Sequence, residues 1–268
     1  MERHKVDLKL RNKLTAKHIA LIAIFSALYT ILRILPLGPM IGLGGSFSVS
    51  DALAPLMGLI LGPFTGGISV IIGTFTAAAL GKPLAFMGLD FLPGLINCIA
   101  MGLLMKRKWI PVVGLYALLL GIFAINPYSL TFVQVGSLAI PFAWLHIIAL
   151  IVLLSPLRSK ATDNIKKLNI PKMALSLTIL AFIGTMLQHL TGNLLFQLVF
   201  GILAEIPATE FAGVWTAIFF AYPFERILML IITMLIGTPL IIIIKRAIPH
   251  FETPLNEQEK KTLISRKK

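Results

Sequence analysis

The sequence predicts an all-α fold, a polytopic transmembrane helix bundle of about eight helices with both termini in the cytoplasm. Three observations lead there. Of 268 residues, 57% are apolar or aromatic and only 13% are charged, and the mean hydropathy is +0.91; together these exclude an ordinary water-soluble domain. A spanning helix takes about 20 residues, so the chain has room for roughly six to eight spans and no separate soluble domain. Basic residues are also segregated: of 24 Lys and Arg, only Arg33, Lys82 and Arg226 lie outside four clusters, at 3–17, 106–108, 158–172 and 245–268. The positive-inside rule assigns all four clusters to the cytoplasm. A net charge of +13 would point to nucleic acid in a soluble protein, but this distribution points to the lipid bilayer and to no nucleic-acid partner. The chain thus reads as a multi-pass cell-membrane protein. It has a basic tail over 1–15, a bundle over 16–246 containing the basic loop 158–172, and a second basic tail over 247–268.

A first apolar helix runs from Ala16 to Leu35 and stops at Pro36-Leu37-Gly38-Pro39. It lacks a small-residue cleavage pattern and reads as a retained span. Met40 to Ser50, rich in glycine and serine, reads as an outer loop. Ser50 or Asp51 caps a second helix to Leu61, Gly62-Pro63 ends it, and a third runs from Thr65 to about Leu80. Both are short for a straight span and so are expected inside the bundle. A fourth covers about Leu84 to Met105, with a break at Pro93-Gly94. A fifth spans Ile110 to about Ile125 and a sixth about Thr131 to Leu154, with Asn126-Pro127-Tyr128 as the outer turn. The seventh, Met173 to about Leu203, and the eighth, about Phe211 to Ile244, exceed a span and call for tilt or a break near Gly192 or Pro223. The lone cysteine, Cys98, lies in an apolar stretch and excludes an internal disulfide.

Ala16, Ala20, Ala23 and Ala27 recur every three or four residues and form one small-residue face of the first helix. That face reads either as internal packing or as a docking surface for another membrane subunit. Ala23-Ile24-Phe25-Ser26-Ala27 fits an alanine-x-x-x-alanine motif, Gly58 to Gly67 contains a glycine-proline-x-x-glycine turn, and Tyr222-Pro223-Phe224-Glu225-Arg226-Ile227 precedes Gly237-Thr238-Pro239-Leu240. In this order the three resemble the substrate-binding (S) components of energy-coupling factor transporters, over roughly residues 16–105 and 173–246. Members usually have six helices, so Ile110 to Leu154 is either an insertion or a miscount. The resemblance implies a subunit that captures a micronutrient, commonly a vitamin or its precursor, from outside. Ala20, Ala23 and Ala27 would then meet a transmembrane coupling (T) subunit driven by two cytoplasmic ATPases. The segment Gly38 to Ser48 would be the lid, with Gly42, Gly44 and Gly45 as hinges; a plain flexible connector is the alternative.

Polar residues inside apolar spans are costly and invite functional readings. His189, Asn193 and Gln197 share one face of the seventh helix, beside Gln188. They read as interhelical glue or as donors and acceptors for a neutral heterocyclic ligand. Trp215 and Tyr222 share a face of the eighth helix. Trp215 is either part of an interfacial aromatic belt or a platform for a flat ring. Asp90 and Asn97 would face the bundle from the fourth helix, Asp90 at an outer mouth where it is either solvated or ligand-binding. Glu225 and Arg226 read as a structural polar pair, and Trp144 and His146 fall toward the cytoplasmic half. No phosphate-binding loop, paired histidine-glutamate metal motif or hydrolase elbow is present. The expectation is therefore a non-enzymatic subunit without cofactor or metal, whose transport is powered by partners. The alternative is a membrane enzyme acting on a lipid or prenyl substrate, with His189, Glu205, Glu225 or Asp90 as acid or base.

Overall fold

The computed structural model describes residues 16–39, 41 and 46–247. Both basic tails, apart from Ala247, and the expected lid glycines Gly42, Gly44 and Gly45 lie outside the described residues. Of the described residues, 76% are helical.

Helix α1 (Ala16–Ile34) leads into strands β1 (Pro36–Pro39) and β2 (Ser46–Ser48). These pair antiparallel, Pro36 opposite Ser48 and Pro39 opposite Ser46, where the sequence expects an irregular loop. Helix α2 (Ser50–Leu61) follows at once. No side chain caps it, contrary to the expected role of Ser50 or Asp51. Asp51 instead turns one oxygen back to accept the Ser48 N–H at 3.2 Å, so it fastens the hairpin to the helix. Gly62, at φ 84°, makes the corner into α3 (Pro63–Ala79), which starts on the proline and not at Thr65 because proline's fixed φ suits a first turn. The fourth helix begins later than expected. Residues 84–91 form turns, and α4 is Leu92–Met105, with Pro93-Gly94 opening the helix and not breaking it.

The next segment holds the largest correction. After α5 (Ile110–Ile125), the expected sixth span from Thr131 is a β-hairpin, β3 (Phe132–Val135) with β4 (Leu138–Pro141), followed by the short α6 (Trp144–Leu154). Val135 pairs with Leu138 across Gly136, which sits at φ 62°, the conformation that a two-residue hairpin loop requires at its first position. Helix α7 (Leu157–Lys166) occupies much of the expected basic loop, bent 67° from α6. Helix α8 (Ile170–Phe196) passes Gly192 unbroken and continues into a π-helical segment, Gln197–Leu203. Helix α9 (Ala208–Ala247) runs 40 residues through Pro223 and Pro239, so neither Gly192 nor Pro223 interrupts its helix. In place of eight helices the described residues form nine α-helices and one π-helical segment.

Three of these are long and apolar enough to cross a membrane: α1, α8 with its π-helical extension, and α9, or four if bent α6–α7 counts as one. Helices α2 to α5 are apolar but shorter. Helix α2 is the centre of the core, with every residue but Asp51 buried, as its shortness predicts, whereas α3, expected inside the bundle on the same ground, exposes Phe64, Ile72 and Phe75. Close crossings surround it. A Cβ on Gly58 would lie 2.1 Å from the Cys98 carbonyl oxygen, and one on Gly102 2.4 Å from the Pro63 nitrogen. The glycines around the Gly62-Pro63 turn thus let α2 and α3 meet the α4 backbone. Outward faces remain apolar: Ile24, Phe64, Ile125 and Phe224 are all exposed.

Charge divides the molecule into two ends. Arg107 pairs with Asp163 at 2.5 Å, the Arg158 guanidinium lies 4.0 Å over the Trp109 ring, and Lys245 donates to the Lys166 carbonyl. Basic clusters from three parts of the sequence therefore meet at one end. The 14 residues of α4 separate that end from Asp90 by about 21 Å.

Candidate ligand cavity

At the end opposite the basic clusters lies a cavity of about 620 Å³, within the usual range for small-molecule sites. Its walls come from the tip of α1, the β1–β2 hairpin, the 82–90 connection, the start of α2, the last turns of α8 with its π-helical extension, and the middle of α9. Its floor is built from a chain of hydrogen bonds. Asn97 Nδ2 donates to Gln188 Oε1 at 2.7 Å, and Gln188 Nε2 donates to Asp51 Oδ1 at 2.7 Å. Gly184 makes room for this chain, since a Cβ there would sit 2.1 Å from Asn97 Oδ1. Asp90 holds the 84–91 turns by accepting the Ala85 N–H at 2.8 Å and the Phe86 N–H at 3.0 Å.

Three cations face this space. Arg33 Nη2 donates to the Asp90 carbonyl at 3.4 Å, and Lys82 Nζ donates to Ser46 Oγ at 2.9 Å. Burial, and after it the Arg33 charge, hold the Lys82 ammonium below the ordinary lysine value, while Asp51 acts the other way. Arg226, 2% exposed, donates to Thr185 Oγ1 at 3.4 Å and lies 3.6 Å from Glu225 Oε2. Its guanidinium carbon sits 5.2 Å from the Phe47 ring centre, so the hairpin covers it. Arg226 belongs to the buried stripe of α9, Phe211, Trp215, Phe219, Tyr222, Arg226 and Met229, spaced three or four apart as one helical face requires.

Of the residues expected from sequence, Asp90, His189, Asn193 and Trp215 line the cavity, and Asn97, Gln197 and Tyr222 stand behind its wall. Gln197 donates to Ser129 Oγ at 2.7 Å and Tyr222 donates to the Phe142 carbonyl at 3.0 Å. Trp215 is wholly buried, not part of a surface belt. Its indole N–H reaches the Tyr128 carbonyl at 2.6 Å and its ring meets Phe123, Phe142 and Phe196 edge-on. His146 also needs correcting. Because the hairpin replaces the start of the expected sixth span, His146 falls in the first turn of α6 and stacks on His189, Nε2 to Nδ1 3.2 Å, with Tyr222 stacked on His189. The alanine face is not used for internal packing: Ala16, Ala20, Ala23 and Ala27 are all exposed, while Phe25, Tyr29 and Arg33 form the buried face of α1.

Sequence reasoning overlooked Arg33, Lys82, Asp51 and Phe47 as lining residues, read Arg226 as structural, and read Glu225 as structural or, in the enzyme alternative, as an acid or base. The signal was available in the charge map. Among the described residues, the charged side chains outside the basic end and the 205–210 connection are Arg33, Asp51, Lys82, Asp90, Glu225 and Arg226. All six line this cavity.

Fold and site together define a helical chain, with helices apolar enough to cross a membrane, that encloses a charged, ligand-sized cavity. No family model matches the chain, and no solved structure matches it. It is similar to an uncharacterized protein of Methanocaldococcus jannaschii, 28% identical over 177 residues, which are 65% of this chain and 55% of that protein. The match thus spans about half the length of that curated relative.

Proposed function

We propose that this chain is a membrane-embedded capture subunit, binding a small micronutrient from outside the cell and passing it to a separate, ATP-driven coupling module. The observation that carries the reading is the convergence of all six charged side chains on one ligand-sized cavity. Charges inside an apolar bundle are expensive, and a shared polar cavity is how membrane proteins use them. The positive-inside rule supports the orientation: the basic end faces the cytoplasm and the cavity faces outward. In that frame the outward apolar faces contact lipid, the shorter helices α2 to α5 complete the bundle, and the β1–β2 hairpin over Arg226 serves as the cover.

Partner contact is supported separately by α1. Its exposed alanine face lets a neighbouring helix approach closely, as the resemblance to energy-coupling factor S components requires for a T subunit and its two ATPases. The enzyme reading finds less support. Both oxygens of Asp90 accept backbone N–H groups, Glu225 faces Arg226, Glu205 is exposed and outside the cavity lining, and His189, which does line the cavity, has its Nδ1 engaged with His146 Nε2 at 3.2 Å.

The test is a pair of bulky substitutions, Ala23→Trp with Ala27→Trp, in the full chain co-expressed with a coupling module. Loss of complex and uptake with ligand retention intact is the expected result. An intact complex in that variant would remove α1 as the docking face.

A further inference from the structure

We infer that the cavity selects an organic monoanion, a carboxylate held by the buried Arg226 guanidinium, with Arg33 facing the same space, on a body packed against the aromatic wall. This rests on the capture reading and specifies its ligand class. Among the described lining residues, the buried polar atoms without a hydrogen-bond partner are Arg33 Nε, Asn193 Nδ2, Arg226 Nε and Arg226 Nη2. All four are N–H donors. An amide's two ends are interchangeable by assignment, but a guanidinium has no acceptor, so the three arginine donors admit no other reading. Arg33 is 9% exposed and Arg226 2%. Buried donors of this kind call for acceptors, and a planar carboxylate matches a guanidinium edge with two parallel bonds.

The carboxylates present do not meet that need. Asp51 accepts from Ser48 and Gln188, and Asp90 accepts from Ala85 and Phe86. Only Glu225 stands against Arg226, at 3.6 Å, beyond hydrogen-bond reach. The oxygens of Asp51 and Asp90 are thus engaged by neutral donors, and the charge of Glu225 is balanced by the adjacent Arg226, so these acids offer less to a cationic ligand. Arg33, Lys82 and Arg226 against Asp51, Asp90 and Glu225 sum to zero formal charge, so one ligand charge is accommodated more readily than the two of a phosphate. The rest of the wall, including Phe47, Phe86, Phe196 and Trp215, suits an aromatic or apolar body. A neutral heterocycle, the ligand expected from His189, Asn193 and Gln197, could accept from the arginine donors through a carbonyl or ring nitrogen, but it brings neither the charge nor the paired oxygens that a guanidinium edge matches.

The test uses the full chain in phosphatidylcholine nanodiscs with three matched probes, 3-phenylpropanoate, 3-phenylpropanamide and 3-phenylpropylamine, followed by equilibrium dialysis. The carboxylate is expected to be retained at least tenfold over the amide, with the amine weakest. Arg226→Lys should remove most of that preference, since an ammonium lacks the planar fork. Lys82→Gln, in a half-buried connection and so tolerated by the fold, should lower carboxylate retention severalfold. Equal or stronger retention of the amide or amine overturns the assignment and leaves capture standing. Retention of none overturns the assignment as well, and capture is then judged on molecules that co-purify with the protein. Displacement of the carboxylate by added phosphatidylglycerol would make a lipid phosphate the occupant and overturn a soluble carboxylate.

Discussion

Two glycines on one helix should respond to the same substitution in opposite directions. At Gly184 an added Cβ meets Asn97 Oδ1 at 2.1 Å and Asn97 Cγ at 3.0 Å, and the Asn97 amide is fully buried and donating to Gln188. Gly184→Ala must therefore displace the first link of the floor. Overpacking costs about 1–3 kcal/mol and the weakened hydrogen bond about 1 kcal/mol, offset by about 1 kcal/mol of helix propensity. The net is a loss of about 1–3 kcal/mol. At Gly192, two turns on, no atom lies within 4 Å of the added Cβ, so Gly192→Ala keeps only the gain of about 1 kcal/mol. Cys98, fully buried and the single cysteine of the chain, supplies the assay: a thiol-reactive fluorophore on heating reports when the bundle opens. Gly184→Ala should unfold at lower temperature than wild type and Gly192→Ala at equal or higher temperature. If Gly184→Ala matched wild type, or Gly192→Ala fell below it, the account of the floor and of the open wall would be wrong. Gly192 also lines the cavity, so Gly192→Phe should fill it and abolish ligand retention while the unfolding temperature holds.

Other substitutions probe separate joints. Gly58→Ala drives a Cβ to 2.1 Å from the Cys98 carbonyl oxygen, a backbone atom, so it should destabilise by about 1–3 kcal/mol or more in the same thiol assay. Asp90→Ala leaves the Ala85 and Phe86 N–H groups without their acceptor and should cost about 1–3 kcal/mol; faster hydrogen exchange over 84–91 would locate the loss, and unchanged exchange would refute it. Tyr222→Phe removes one hydrogen bond, to the Phe142 carbonyl, and should cost about 1 kcal/mol with ligand retention unchanged, because Tyr222 stands behind the wall; a tenfold loss of retention would place it in the site.

Much of the helical framework was legible because apolar runs bounded by Gly-Pro corners leave few alternatives, as at Gly62-Pro63. The burial of α2 agreed with its shortness, but the same argument failed for α3, whose Phe64, Ile72 and Phe75 face outward. What escaped was local. The period-two pattern of Phe132 to Pro141 was absorbed into an apolar run, which hid a hairpin and moved His146 to the wrong depth. Unbroken passage of α9 through Pro223 and Pro239 depends on neighbours that no local rule contains. The cavity lining was half legible: helical phase led to His189, Asn193 and Trp215, and Asp90 lines the cavity from the turns before α4, not from the helix on which the sequence places it, while Asn97, Gln197 and Tyr222 donate to Gln188, Ser129 and the Phe142 carbonyl and lie outside the lining. Arg33 and Arg226, on the first and last helices and 193 positions apart in the sequence, reach the same cavity only through tertiary packing. Their shared exclusion from the basic clusters was the trace they left.

The most direct test of capture is mass spectrometry of small molecules released by denaturing the gently purified protein, with the amount compared to protein and with Gly192→Phe as the blocked control. The account predicts an organic carboxylate near one molecule per chain in the wild type and none in the blocked variant. Release of lipid or prenyl species alone, or the same yield from Gly192→Phe, would contradict it.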